Sequence, residues 1–125
     1  MILLDTHTLI WTLFDSGNLS ENAKKALSSG KKAFVSVASL WEIAIKQSIG
    51  KIKLDITINE IAQKCDEYHI TILPITAEHL DRIKDLPDIH KDPFDRLLIA
   101  QAATENMTLI TKDTIIPQYK VETIW

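Results

Sequence analysis

Four acidic residues occupy positions from which a parallel sheet could bring carboxylates together: Asp5, Glu42, Asp95 and Asp113. Asp5 and Asp113 each directly follow a short apolar run that is typical of a buried strand. Glu42 lies near the first turns of one predicted helix, and Asp95 lies in the first turn of another. Ligands of open parallel sheets bind at the carboxyl ends of the strands. If the first and fourth predicted strands are neighbours, all four carboxylates meet at one edge of the sheet.

Such a group of acids would have a specific chemistry. Carboxylates a few ångströms apart repel one another strongly unless their pKa values rise or a cation binds between them. Sites built from carboxylate oxygens favour Mg²⁺ or Mn²⁺, whereas zinc prefers nitrogen and sulfur ligands. One or two such ions can orient and ionise a water, hold a phosphate and neutralise charge on the attacking and leaving oxygens. The acids therefore predict a hard-cation site suited to phosphodiester hydrolysis.

Short apolar strands alternate with helices along the chain. The predicted strands cover residues 2–4, 33–35, 69–73 and 107–110, with 121–125 as a candidate fifth. The clearest helix starts are Asp92-Pro93, just before Asp95, and the capping box from Thr57 to Glu60. This alternation indicates right-handed βαβ units, and so an α/β fold in which helices cover both faces of a mostly parallel sheet of four to five short strands.

The composition is that of an ordinary globular protein. The chain has 125 residues, 46% of them hydrophobic and 25% charged, which predicts one domain over residues 1–125. Cys65 is the only cysteine, so no internal disulfide can form, and a reducing compartment is expected. The N-terminal residues fit neither a signal peptide nor a transit peptide, and no apolar run approaches the roughly 20 residues that span a membrane. We therefore expect a cytoplasmic protein without a membrane partner.

The net charge of −3 argues against a protein that holds nucleic acid by bulk positive charge. Removing the four candidate acids from the count changes this value to +1. Cations bound to those acids would therefore remove the repulsion that a polyanionic substrate otherwise meets.

Four segments, in order, resemble the motifs of PIN-domain proteins, especially the VapC-like toxins of type II toxin–antitoxin systems. They are residues 1–6 (MILLDT), 36–42 (SVASLWE), 92–102 (DPFDRLLIAQA) and 109–113 (LITKD). The match covers essentially the whole chain, and each motif alone is weak. The resemblance implies a PIN-like three-layer α/β/α fold and a cytoplasmic endoribonuclease that needs Mg²⁺ or Mn²⁺. It also implies a cognate antitoxin that inhibits the enzyme, and a homodimer.

The resemblance also implies roles for individual residues. The metal-binding and catalytic acids would be Asp5, Glu42, Asp95 and Asp113. Thr6 and Thr111 would be their hydroxyl neighbours, and Arg96 would balance charge or contact phosphate.

Each candidate acid also has a purely structural interpretation. Asp5 is placed to cap the first helix, and Asp113 is placed to form an Asx turn after its strand. Glu42 precedes Lys46 by four positions, the favourable order for an ion pair on a helix.

Asp92 competes with Asp95 for the site, but Asp92 has the better explanation as an N-cap before Pro93. We assign Asp95 to the site. His90 and Lys91 lie in the polar loop before this helix, where a solvated position is favoured over contact with RNA.

Two other functions remain open at this point. One is a partner-binding module in which the acids serve only as caps. The other is a different magnesium-dependent phosphoryl-transfer enzyme, such as a phosphatase or a phospho-acceptor domain. Sites of that second kind usually have two acids at the end of the first strand, whereas Thr6, His7 and Thr8 follow Asp5 here.

Overall fold

A computed structural model describes residues 1–125 and has one five-stranded, all-parallel sheet in the order β3-β2-β1-β4-β5. Its strands are β1 (Ile2–Leu4), β2 (Ala33–Ser36), β3 (Ile70–Leu73), β4 (Thr108–Ile110) and β5 (Thr123–Ile124). The six helices are α1 (Thr6–Phe14), α2 (Glu21–Leu27), α3 (Val37–Ser48), α4 (Ile58–Glu67), α5 (Ala77–Lys84) and α6 (Pro93–Glu105). The predicted α/β/α fold is confirmed, and the candidate fifth strand is present.

The central strand, β1, sets the position of the candidate site. Leu4 pairs with Val35 of β2 on one side and with Ile110 of β4 on the other. The carboxyl ends of these three strands therefore lie side by side, because all of them run in the same direction. The expectation that the first and fourth predicted strands are neighbours is confirmed.

The sheet separates two apolar cores. Ile2 and Leu4 face a core shared with α1, α2, α3 and α4, whereas Leu3 faces a second core that includes residues of α6. This alternation follows from the two-residue period of a strand. All three residues of β1 are fully buried, so the strand that leads to Asp5 is held on both faces.

Side-chain caps start the helices where the sequence predicts them. Asp92 caps α6 with Pro93 as its first residue, and Thr57 and Glu60 form the predicted capping box of α4. Ser36 caps α3, which begins directly at the end of β2. This direct junction brings the first turns of α3 to the same edge of the sheet as Asp5.

The longest helix, α6, has 13 residues. No helix combines the length and the apolar character needed to cross a membrane.

Candidate metal centre

One pocket at the carboxyl edge of the sheet contains all four predicted acids. Its volume is about 390 Å³. It is lined by Asp5, Thr6, His7, Trp11, Glu42, Lys46, Asp92, Asp95, Lys112 and Asp113. The acids reach it from four places: the ends of β1 and β4, helix α3 and the first turn of α6.

Asp5 has both a capping position and a position in the pocket. As N-cap of α1, its Oδ1 accepts a hydrogen bond from the backbone N–H of Thr8 at 2.9 Å. Its Oδ2 accepts from the hydroxyl of Thr111, and that hydroxyl oxygen accepts from the backbone N–H of Asp113 at 3.0 Å. Thr111 thus connects the two acids that follow β1 and β4.

Glu42 is buried on α3 and has a partner at each carboxylate oxygen. Its Oε1 accepts from the Thr6 hydroxyl at 2.6 Å, and its Oε2 accepts from Nζ of Lys46 at 2.7 Å. The hydroxyl of Ser39 lies 3.0 Å from that of Thr6. Because Thr6 has one hydroxyl proton and gives it to Glu42, Ser39 is the donor in this second pair. The hydrogen bond to Glu42 raises the pKa of Lys46 above its ordinary value, although burial acts in the opposite direction.

Asp113 forms the turn that its sequence position suggests while also lining the pocket. Its Oδ1 accepts from the backbone N–H groups of Ile115 and Ile116, at 2.7 and 2.8 Å, and its Oδ2 accepts from Nε2 of His90 at 3.1 Å. Burial alone would raise its pKa, but the hydrogen bonds from Ile116, His90 and Ile115 outweigh that effect and lower the pKa.

Asp95 differs from the other three acids because its carboxylate accepts no hydrogen bond. Its backbone N–H donates to Oδ1 of Asp92 at 3.0 Å, which confirms Asp92 as the cap. Its own Oδ2 lies 3.1 Å from Nε2 of His90. Burial, followed by the negative charge of Asp92, raises the pKa of Asp95 to about 7; His90 opposes this, and Asp113 and Asp5 reinforce it. Asp95 is therefore the acid whose charge the protein compensates least.

His90 belongs to the site, and the expectation of a solvated position for it is wrong. The residue is buried, and its Nε2 lies 3.1 Å from carboxylate oxygens of both Asp95 and Asp113. The sequence signal was present but weak: a histidine five positions before an acid in the first turn of a helix. Its main chain is held by Tyr119, whose hydroxyl accepts from the His90 backbone N–H at 2.7 Å.

Arg96 does not line the pocket, in contrast to the role that the family resemblance implies for it. Its guanidinium donates to the carbonyl oxygens of Pro87 and Ile83, at 2.9 and 3.3 Å. Consecutive residues of an α-helix point about 100° apart, so Arg96 cannot share the direction of Asp95. In this structure it holds the loop that precedes α6.

The donor set fits a hard divalent cation. Six of the eight oxygens of the four carboxylates accept hydrogen bonds from protein groups. Asp113 Oδ1 accepts two and is saturated, but the other five accept one each and retain a lone pair for a cation. Lys46 is the one ammonium group bonded to these four acids, so negative charge remains in excess. Oxygen ligands and excess negative charge suit Mg²⁺ or Mn²⁺.

The fold agrees with comparisons to known proteins. A family model described as PIN domain matches residues 2–122, and the chain belongs to the PIN domain family. Within it, the chain resembles the VapC-like members: it is 30% identical over 113 residues to the Ribonuclease VapC22 of Mycobacterium tuberculosis, a match that covers 90% of this chain and 86% of that protein.

Solved structures share the fold at lower identity. The crystal structure of VapBC2 from Rickettsia felis, bound to a DNA fragment from its promoter, has a TM-score of 0.70 at 17% identity and covers 100% of both chains. A toxin–antitoxin complex from Klebsiella pneumoniae has a TM-score of 0.59 at 21% identity, covering 91% of this chain and 88% of that one.

Proposed function

We propose that this protein is an endoribonuclease that hydrolyses RNA phosphodiester bonds with Mg²⁺ or Mn²⁺ held by Asp5, Glu42, Asp95 and Asp113. The observation that carries this function is the convergence of four carboxylates from separate elements in one pocket. Asp95 is half-buried and its carboxylate accepts no hydrogen bond, which supports a cation as its missing partner. The ribonuclease name of a relative with 30% identity supports RNA as the substrate.

A divalent ion in this pocket would supply the polarisation of a water and the neutralisation of charge on the phosphate. The chain's own groups prepare the site for it. Thr6 and Thr111 fix the orientations of Glu42 and Asp5, so those carboxylates need not reorganise. Lys46 and Lys112 lie at the pocket and attract the phosphates of an RNA strand.

The alternative in which the acids serve only as caps accounts for two of them. Asp5 and Asp113 each accept hydrogen bonds from backbone N–H groups. The carboxylates of Glu42 and Asp95 accept none from the backbone, and a capping role explains neither. This difference favours an active site over a protein in which the four acids serve only as helix and turn caps.

We also propose that the protein acts as the toxin of a type II toxin–antitoxin pair, is inhibited by a cognate antitoxin, and forms a homodimer. The toxin–antitoxin complex among the structural neighbours supports the antitoxin. One face of α3 supports association with another chain, because its apolar side chains are exposed at a helical spacing of four. They are Val37, Trp41, Ile45 and Ile49.

The decisive experiment compares RNA cleavage by the wild type, Asp95→Asn and Asp92→Asn, with Mg²⁺ or Mn²⁺ and with EDTA. We expect EDTA to abolish cleavage and Asp95→Asn to reduce it at least about 100-fold, since outer partners of a metal ligand already cost 10–100-fold. Asp92→Asn is the matched control: it removes a charge from the same helix start, but Asn caps helices as well as Asp does. Equal cleavage by Asp95→Asn and the wild type would exclude the mechanism.

A further inference from the structure

We propose that His90 is a positioning residue of the metal centre, which holds the carboxylate of Asp113 beside that of Asp95 by a hydrogen bond from Nε2 and is not itself a metal ligand. Because it acts through carboxylates that are proposed to bind a divalent ion, this role rests on the proposed function. Nothing in the four-acid arrangement requires a histidine, yet one is buried against two of those acids.

The hydrogen bonds of the ring determine its tautomer. Nδ1 of His90 lies 3.1 Å from the backbone N–H of Asp92, and a backbone N–H can only donate. Nδ1 must therefore present its lone pair, and the ring proton lies on Nε2. That N–H donates to Oδ2 of Asp113 at 3.1 Å, and Oδ2 of Asp95 lies at the same distance.

This tautomer excludes the most obvious metal site. Ligand atoms of His90, Asp95 and Asp113 all lie within 4.8 Å of one another, close enough for the three residues to share an ion. An imidazole nitrogen binds metal only through an unprotonated lone pair. Nε2 faces the two acids but carries the proton, and Nδ1 is occupied by Asp92. The imidazole therefore holds the carboxylate of Asp113 next to that of Asp95 and leaves ion binding to oxygen.

The loop before α6 holds the ring rigidly enough for this role. The backbone N–H of His90 donates to the hydroxyl of Tyr119 at 2.7 Å, and that hydroxyl donates to the carbonyl oxygen of Pro87 at 2.9 Å. Tyr119 is itself buried. Arg96 donates to the same carbonyl of Pro87 at 2.9 Å. The imidazole is thus fixed on its ring, through Asp92, and on its main chain, through Tyr119.

A first experiment reads the tautomer directly in the wild-type protein. ¹⁵N NMR of the imidazole side chains distinguishes a protonated ring nitrogen from an unprotonated or metal-bound one. We expect His90 Nε2 to be protonated and Nδ1 unprotonated, both without metal and with saturating Mg²⁺. A proton on Nδ1, or loss of the Nε2 proton when Mg²⁺ binds, would overturn the assignment. This measurement needs no variant and no activity.

A second experiment measures Mn²⁺ affinity by electron paramagnetic resonance for His90→Ala, His90→Gln and the control His69→Asn. His69 is exposed just before β3, outside the pocket, and asparagine tolerates its positive φ of 58°. We expect His90→Ala to weaken binding by about 10–100-fold, and His90→Gln, whose amide N–H can replace Nε2–H, to recover most of this loss. His69→Asn should bind like the wild type.

The outcomes separate the two proposals. Wild-type protein that binds no Mn²⁺ would refute the proposed metal-dependent function. Wild-type protein that binds Mn²⁺ with the same affinity as a folded His90→Ala variant would refute the positioning role and leave the metal centre intact.

Discussion

The hydroxyl of Thr111 donates a hydrogen bond to Oδ2 of Asp5 across 106 positions of sequence. The contact joins the ends of the neighbouring strands β1 and β4, and the same hydroxyl accepts from the backbone N–H of Asp113. The hydroxyl of Thr111 therefore fixes the position of Asp5 relative to Asp113.

Thr111→Val should weaken both the metal centre and the fold. The substitution keeps the shape of the side chain but leaves Asp5 Oδ2 and the Asp113 N–H without partners. We expect a loss of about 1–3 kcal/mol in the free energy of unfolding, and a roughly tenfold weaker Mn²⁺ affinity. Urea denaturation and Mn²⁺ titration measure the two effects. Thr108→Val on the same strand is the control, because its hydroxyl bonds only to the exposed Glu122. Equal Mn²⁺ affinity in the two variants would contradict a role for the Thr111 hydroxyl.

Lys46→Met should separate metal binding from RNA binding. The ammonium of Lys46 competes with a divalent ion for Glu42, so its loss should strengthen Mg²⁺ binding to the free protein. The same loss removes a positive charge from the pocket, so RNA should bind more weakly and with a smaller dependence on salt. Calorimetry with Mg²⁺ and fluorescence anisotropy with RNA measure these opposite changes. Lys53→Met, on an exposed part of the chain, should change neither.

The metal-free protein should show a pH-dependent penalty from Asp95. Its pKa is about 7 in the folded protein, against 3.8 as its ordinary value. Between these two pH values the folded state binds more protons than the unfolded state. The free energy of unfolding of the wild type therefore falls as the pH rises. In EDTA, the free energy of unfolding of Asp95→Asn should therefore increase relative to that of the wild type between about pH 4 and pH 7. Above pH 7 the difference between the two proteins should stay constant. Urea denaturation of both proteins at pH 4.5, 6 and 8 measures it; a constant difference would contradict the prediction. Mg²⁺ added at pH 8 should raise the melting temperature of the wild type but not that of the variant.

Tyr119→Phe should loosen the loop that carries His90. The substitution keeps the buried ring but leaves the His90 N–H without its acceptor, and the Pro87 carbonyl loses one of its donors while keeping Arg96. We expect a loss of about 1–3 kcal/mol in the free energy of unfolding, measured with urea. Tyr68→Phe, at an exposed residue, should change it little. A similar stability for both variants would show that water replaces the Tyr119 hydroxyl without cost.

The order of strands and helices could be predicted because each signal is local. Apolar runs define β1 and β4, and Asp92 with Pro93 defines the start of α6. The placement of Asp5 beside Asp113 followed from one general property of parallel sheets, that their carboxyl ends align.

What the sequence did not reveal depends on contacts between distant residues. His90 is buried, and its main chain is bound by Tyr119, 29 positions later. Capping and a place in the pocket are not exclusive for Asp5, since Oδ1 caps α1 while Oδ2 accepts from Thr111. Arg96 directly follows Asp95 in the sequence, but the angular step of the helix directs its guanidinium to the carbonyl of Pro87, in the loop before α6.

The unequal hydrogen bonding of the four acids predicts which of them mutation would remove first if the activity were no longer under selection. Asp5 and Asp113 each satisfy backbone N–H groups, so replacing either one costs folding stability as well as activity. The carboxylate of Asp95 binds no backbone N–H group, and the desolvation of its charge lowers the stability of the metal-free protein. In a gene copy released from selection for activity, we expect Asp95 to be lost early and Asp5 and Asp113 to persist. A relative that retains only those two acids would thus be a folded protein that has lost its chemistry.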